Sequence, residues 1–189
     1  MFEPLFEPSL EVYYHLFMPL QLALLRHAQA ADKQHGQRDL DRPLTASGRD
    51  QASGVGIYLK QHQILPQSVL TSAALRTRET TELVCREIGV GHDRINASMD
   101  WYETTVDKLI PAIFNRHSSD TILFVNHNPG ISQLLYYILN NQPGQPMQMF
   151  EPASLAILQV DVARWTDFKP GNARLTHFAH VHQLNQPIA

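Results

Sequence analysis

"LLRHAQA", residues 24–30, ends an aliphatic run in an arginine and a histidine side by side. The run from Leu20 to Arg26 reads as a central strand, and ligands of α/β proteins gather where such strands end. Arg26 and His27 are therefore candidates for a site. Past residue 19 the chain alternates strand-like and helix-like stretches, the pattern of a layered α/β domain. The fold this predicts is three-layered, α/β/α, with a mostly parallel central sheet.

The 189 residues are 43% hydrophobic, enough for one well-filled core, so a single domain is expected over residues 18–189. Fifteen Lys and Arg stand against eighteen Asp and Glu, a net charge of -3. That balance steers the protein toward neither nucleic acid nor an anionic membrane surface. Cys85 is the sole cysteine, in a helix-like stretch; it is expected as a buried thiol in a reducing, cytoplasmic setting. Residues 1–17 are apolar but carry Glu3, Glu7, Glu11 and prolines, which disfavours an export signal. They are expected as an N-terminal extension, with Met18 as an alternative start.

Two further strands are expected at "SVLTS" (68–72) and "DTILFVNH" (120–127). Thr45 should cap the helix of "PLTASGRDQASGVGIYLKQH", and "DKQHGQRDLDR" reads as a mobile surface loop. "AALRTRETTELVCREI" should be a helix with Leu75, Leu83, Val84 and Ile88 on one face. In "ETTVDKLIPAIFNRH" Pro111 must kink the helix or mark its first turn, and "GISQLLYYILNN" has the clearest helical stripe. "SLAILQVDV" and "ARLTHFAHVHQL" read as a closing strand pair.

Each of the first three strands ends near a cationic or imidazole group: Arg26 and His27, then Ser72 and Arg76, then Asn126, His127 and Asn128. In a parallel sheet these junctions share one edge. Two guanidiniums and two imidazoles beside helix N-termini would suit a phosphoryl group.

"LLRHAQA", "RPLTASGRDQA", "VLTSAALRTRETT" and "ILFVNHNPGISQLL", in that order, resemble the histidine phosphatase superfamily, also called phosphoglycerate-mutase-like. The resemblance runs from about residue 20 to about residue 182. The short loops look most like the small SixA-type phosphohistidine phosphatases. The resemblance implies that His27 is a nucleophile, that Arg26 and Arg76 hold the phosphoryl oxygens, and that His127 stabilises the group in transfer. The chemistry suits the roles. Neutral imidazole attacks phosphorus well near neutral pH, and guanidinium donates paired hydrogen bonds to phosphate while staying charged. Fixed donors of this kind do the work without a metal, and no cofactor is implied.

The family's general acid lies between the second and third of these strands, where Glu103 is preferred over Asp100. A phosphohistidine substrate has an easily protonated nitrogen leaving group and could dispense with it. Where the family usually has Gly before its second histidine, this chain has Asn126, which would narrow the pocket or hydrogen-bond within it. Ala28 replaces the usual Gly of the first motif, and Arg42 of "DRPLT" is placed near the pocket mouth.

Other residues have plainer readings. Arg78, Arg86 and Glu79 are expected as solvated charge, Tyr136 and Tyr137 as packing, and Trp101 as core or pocket rim. His180 and His182 would share a strand face, but no Cys pair, HExxH or carboxylate cluster completes a metal site. The expected partner is thus a phosphorylated substrate, a phosphohistidine protein or a small phosphate ester. A metabolite phosphomonoesterase and a phospho-binding protein without turnover are the alternatives.

Overall fold

The computed structural model describes residues 19–115, 119–140, 146–180 and 182. The expected extension over residues 1–17 lies outside them. A six-stranded sheet carries β1 (Leu20–Arg26), β2 (Ser68–Ser72), β3 (Ile95–Ser98), β4 (Thr121–Asn126), β5 (Leu155–Val160) and β6 (Ala173–Ala179). Their spatial order is β3-β2-β4-β1-β5-β6. The first four strands run parallel, and β5 and β6 are antiparallel additions. The helices are α1 (Ala46–Gln61), α2 (Leu75–Ile88), α3 (Val106–Phe114) and α4 (Gly130–Ile138).

Side chains alternate across a strand, so a strand buried on both faces must be apolar at every position. The middles of β1 (Leu22 to Leu25) and β4 (Ile122 to Val125) show this directly. Leu22, Leu24, Ile122 and Phe124 enter a core with α3 and α4, whereas Ala23, Leu25, Leu123 and Val125 enter a second core with α1 and α2. The expected three layers follow, and each fully buried Leu or Phe contributes roughly 1.5–3 kcal/mol. Trp101 belongs to the first core, edge-on to Phe124. Cys85 is buried, as expected.

Several local expectations are corrected. The buried face of α2 is Thr77, Thr80, Thr81, Val84, Cys85 and Ile88, while Leu75 and Leu83 are only half-buried. Three threonines fit there because their hydroxyls donate to backbone carbonyls of the preceding turn, and the Thr81 hydroxyl also donates to Thr71 of β2. β3 escaped the sequence reading because its four residues are half-exposed at a sheet edge. Of the two readings of Pro111, the structure has the residue inside α3 and not in its first turn. Glu79 is not solvated charge: its Oε2 accepts the Leu44 N–H at 2.6 Å. β6 ends at Ala179, so His180 and His182 do not share a strand face, although their rings stack at 5.8 Å. Thr45 caps α1 as read, accepting from Gly48 N at 2.9 Å.

Among the described residues, no helix is long and apolar enough to cross a membrane, and no group of three or more His, Cys, Asp or Glu is placed to hold a metal ion.

Candidate active site

Strand register assembles the site. Arg26 of β1 lies opposite Asn126 of β4, so the next residues, His27 and His127, leave the sheet side by side with ring centroids 5.1 Å apart. Thr71 of β2 lies opposite Val125, which brings Ser72 into the same row. His127 and Ser72 meet, with Nε2 2.9 Å from Oγ. Arg76 follows in the first turn of α2. His27 and His127 are each 8% exposed and Arg76 6%, so a small group can reach them while their charges stay shielded from bulk water.

The tautomer of His27 follows from its partner. His27 Nδ1 is 2.8 Å from the Ala28 carbonyl, which only accepts, so Nδ1 carries the proton and the lone pair is on Nε2. Burial, and then the positive charge of Arg76, Arg26 and Arg42, press its pKa down to about 4 against the upward pull of that hydrogen bond. The ring is neutral at pH 7.

The proton on His127 can be placed by counting donors. Ser72 Oγ receives the Ala74 N–H at 3.4 Å and lies against His127 Nε2. Where the Ser72 hydroxyl donates to Nε2, the ring carries its N–H on Nδ1. That Nδ1 is buried without a partner. Burial first, then the charge of His27 and Arg76, lower the His127 pKa to about 2.

Arg26 donates from Nη1 to the Phe150 carbonyl at 2.7 Å, and its buried Nε has no partner. Asn128 Nδ2 donates to the same carbonyl at 2.5 Å, tying the chain beyond β4 to the wall that holds Arg26. Buried donors without partners are rare because each costs roughly 1–3 kcal/mol. Here two such atoms, Arg26 Nε and His127 Nδ1, come from adjacent strand ends. An oxyanion would satisfy both.

Asn126, half-expected to enter the pocket, instead turns its Oδ1 back to accept the His127 N–H at 2.8 Å, steadying the backbone of that histidine. Glu103 is exposed, with a left-handed φ of 45°, and lies beside the Tyr102 hydroxyl. It makes no hydrogen bond to His27 or His127 among the described residues.

Sequence reading passed over two members of the site. The Tyr102 ring stands edge-on to His127 at 5.5 Å, and the Arg76 guanidinium lies 5.9 Å from the centre of the same ring. Its hydroxyl donates to Asp39 at 2.9 Å; burial first, then that bond, push its pKa up to about 12. Asp39 also pairs with Arg76 and Arg42. The expected mobile loop is thus anchored on the site. The "DRPLT" resemblance pointed to the neighbourhood through Arg42, but not to Asp39.

A family model described as histidine phosphatase superfamily (branch 1) matches residues 22–104. Over that stretch, somewhat less than half of its length, the chain is similar to the histidine phosphatase superfamily. A structure from Agrobacterium tumefaciens, provisionally assigned as the phosphohistidine phosphatase SixA, is 25% identical, with a TM-score of 0.71 over 86% of this chain and 99% of that one. A second SixA so assigned, from Nakamurella multipartitia, is 25% identical with a TM-score of 0.73 over 85% and 95% of the two chains. An uncharacterized chloroplastic protein of Arabidopsis thaliana is 31% identical over 119 residues, 58% of this chain and 55% of its own length. The matched stretch thus spans about half the length of that relative.

Proposed function

We propose that this histidine phosphatase hydrolyses phosphohistidine on proteins, through a phosphohistidine intermediate on His27 and without a metal ion. The observation that carries the reading is the lone pair on His27 Nε2, set beside the unpartnered buried donors Arg26 Nε and His127 Nδ1.

In the first half-reaction Nε2 attacks phosphorus. The N–P bond to His27 forms as the substrate's P–N bond breaks, and the leaving imidazole takes a proton from water. Negative charge on the transferring oxygens meets Arg26, Arg76 and His127 Nδ1–H. Each such fixed donor is worth about 3–4 kcal/mol, by analogy with the loss of one oxyanion-hole donor. In the second half-reaction water attacks phosphorus, the His27–phosphorus bond breaks, and phosphate leaves with the ring neutral again. Dividing the hydrolysis into two steps lowers the barrier of each.

Two observations favour a nitrogen leaving group over an ester oxygen. Glu103, the candidate acid, is exposed and lies beside Tyr102 rather than the histidines. The span between β2 and β4 holds, among its described residues, only α2, the edge strand β3, short turns and the nine-residue α3, with no large cap over the site. An open mouth suits a phosphohistidine presented on a protein surface.

The test is turnover by wild type and His27→Ala, with chelator present, on a phosphohistidine-bearing protein and on an aryl phosphate. Hydrolysis of the first substrate by wild type alone supports the reading. Exclusive hydrolysis of the aryl phosphate would point to small phosphate esters. Binding without hydrolysis of either would make the protein a phospho-binder.

A further inference from the structure

The geometry points to Asp39 as a positioning residue for Arg76, the clamp that turns one edge of its guanidinium toward the phosphoryl group. This rests on the phosphatase reading above and deepens it. Arg76 uses both of its terminal nitrogens on this one residue: Nη1 donates to the Asp39 carbonyl at 2.7 Å and Nη2 to Oδ2 at 2.8 Å. Its Nε edge has no hydrogen-bond partner among the described residues. A guanidinium presents donors along fixed edges, so fixing the Nη1–Nη2 edge also fixes where the Nε edge points.

Asp39 is itself held from three directions. Arg42 Nη1 donates to Oδ1 at 2.9 Å, while the Tyr102 hydroxyl and Arg76 share Oδ2. Arg42 in turn donates from Nε to the Ala31 carbonyl at 2.8 Å. Asp39 therefore ties the loop after β1 to the first turn of α2 and to the tyrosine that stands edge-on to His127. These are three separate segments, each touching the site.

A carboxylate on a phosphate-binding arginine could instead be a stand-in that substrate pushes away. The backbone carbonyl argues against that. Side-chain rotation would release Oδ2, but the carbonyl leaves Arg76 only if the whole turn Asp39–Asp41 moves. That turn is tied down by Arg42 and by Gln37 Nε2, which donates to the Asp41 carbonyl at 3.0 Å.

A clamp and a plug predict opposite results in Asp39→Ala and Asp39→Asn, with wild type as reference and circular dichroism as the check of folding. Two readouts are needed: kcat and KM on the hydrolysed substrate, and calorimetric affinities for inorganic phosphate and for orthovanadate, whose five-coordinate adduct resembles the transferring group. Removing a negative charge strengthens the attraction of either oxyanion, so the ratio of the two affinities isolates orientation. For the clamp, Asp39→Ala lowers kcat about 100-fold, the scale of a misplacement near 1 Å. It also lowers the preference for vanadate over phosphate about tenfold, and Asp39→Asn, which keeps an acceptor oxygen, falls between. Should alanine prevent folding, the isosteric asparagine variant is read in its place, with losses in the same direction.

Equal tightening of both oxyanions with kcat at or above wild type would overturn the inference in favour of a plug. An unchanged ratio with unchanged kcat would overturn it outright, as would a wild-type protein that binds neither oxyanion. The affinity ratio needs no turnover, so failure of the phosphohistidine reading, seen as an idle wild-type enzyme, remains distinct from failure of the clamp.

Discussion

Ser72 Oγ lies 2.9 Å from His127 Nε2, and this contact leaves Nδ1 as the nitrogen of His127 open to the phosphoryl group in the proposed reaction. With the hydroxyl proton given to Nε2, Nδ1 carries N–H. In Ser72→Ala that preference is lost and Nε2 becomes a buried unpartnered atom, at a cost of about 1–3 kcal/mol in stability. The expected fall in kcat is roughly 10- to 100-fold, taking as guide the loss of a partner that orients a metal-bound histidine. Nitrogen NMR of His127 should show the Nδ1–H tautomer in wild type and a mixture in the variant. A pure Nε2–H tautomer in wild type would contradict the assignment.

Arg26 and Arg76 each present a planar edge that an ammonium group cannot reproduce. Arg26→Lys and Arg76→Lys keep the charge but lose paired donation, so kcat/KM should fall about 100- to 1,000-fold in each. Steady-state kinetics on the phosphohistidine substrate measure it. A loss below about fivefold in either variant would mean that charge alone, not the fork, holds the phosphoryl oxygens.

The depressed pKa of His27 has consequences for both activity and stability. Its folded value of about 4 lies below the unfolded 6.5, so between those values the unfolded chain binds the extra proton and stability rises with pH. The contribution is complete above about pH 6.5 and is lost as pH falls toward 4, amounting to roughly 3 kcal/mol at full shift. Denaturant melts from pH 4.5 to 7 should be flatter for His27→Ala than for wild type. Proton NMR should find the His27 ring neutral from pH 5 upward, and a midpoint near 6.5 would refute the stated environment.

Gly48 shows how closely α1 approaches the chain just beyond β1, where His27 lies. A Cβ built there would come 2.0 Å from the Gln29 carbonyl oxygen, two residues past His27. Backbone cannot swing aside as a flexible side chain can, so Gly48→Ala should destabilise by about 1–3 kcal/mol and lower activity with it. Thermal melts and kinetics on the same preparation check both effects.

Much of the fold was legible because β1 over Leu22–Leu25 and β4 over Ile122–Val125 are apolar at every position, which only strands covered on both faces require. The strand ends then located Arg26, His27, Arg76 and His127, and register explains why they converge. What escaped depended on partners far apart in sequence. Asp39 and Tyr102 are 63 residues apart, and each looks like a surface residue until Oδ2 and the hydroxyl are seen 2.9 Å apart. Glu79 resembled solvated charge because its partner, the Leu44 N–H, is a backbone group from another segment. Local periodicity carries no information on such contacts. Glu103 was chosen by its place in the chain, and the geometry puts it beside Tyr102 rather than the histidines.

The most direct test of the covalent mechanism is to mix enzyme and a phosphohistidine-bearing protein with chelator present, quench within the first turnovers in alkali, where phosphohistidine survives, and map the phosphoryl group by peptide mass spectrometry. The account predicts transient label on the peptide containing His27, at Nε2, and none in His27→Ala. Continued turnover with no enzyme-bound phosphoryl group, or with the label on another residue, would contradict it.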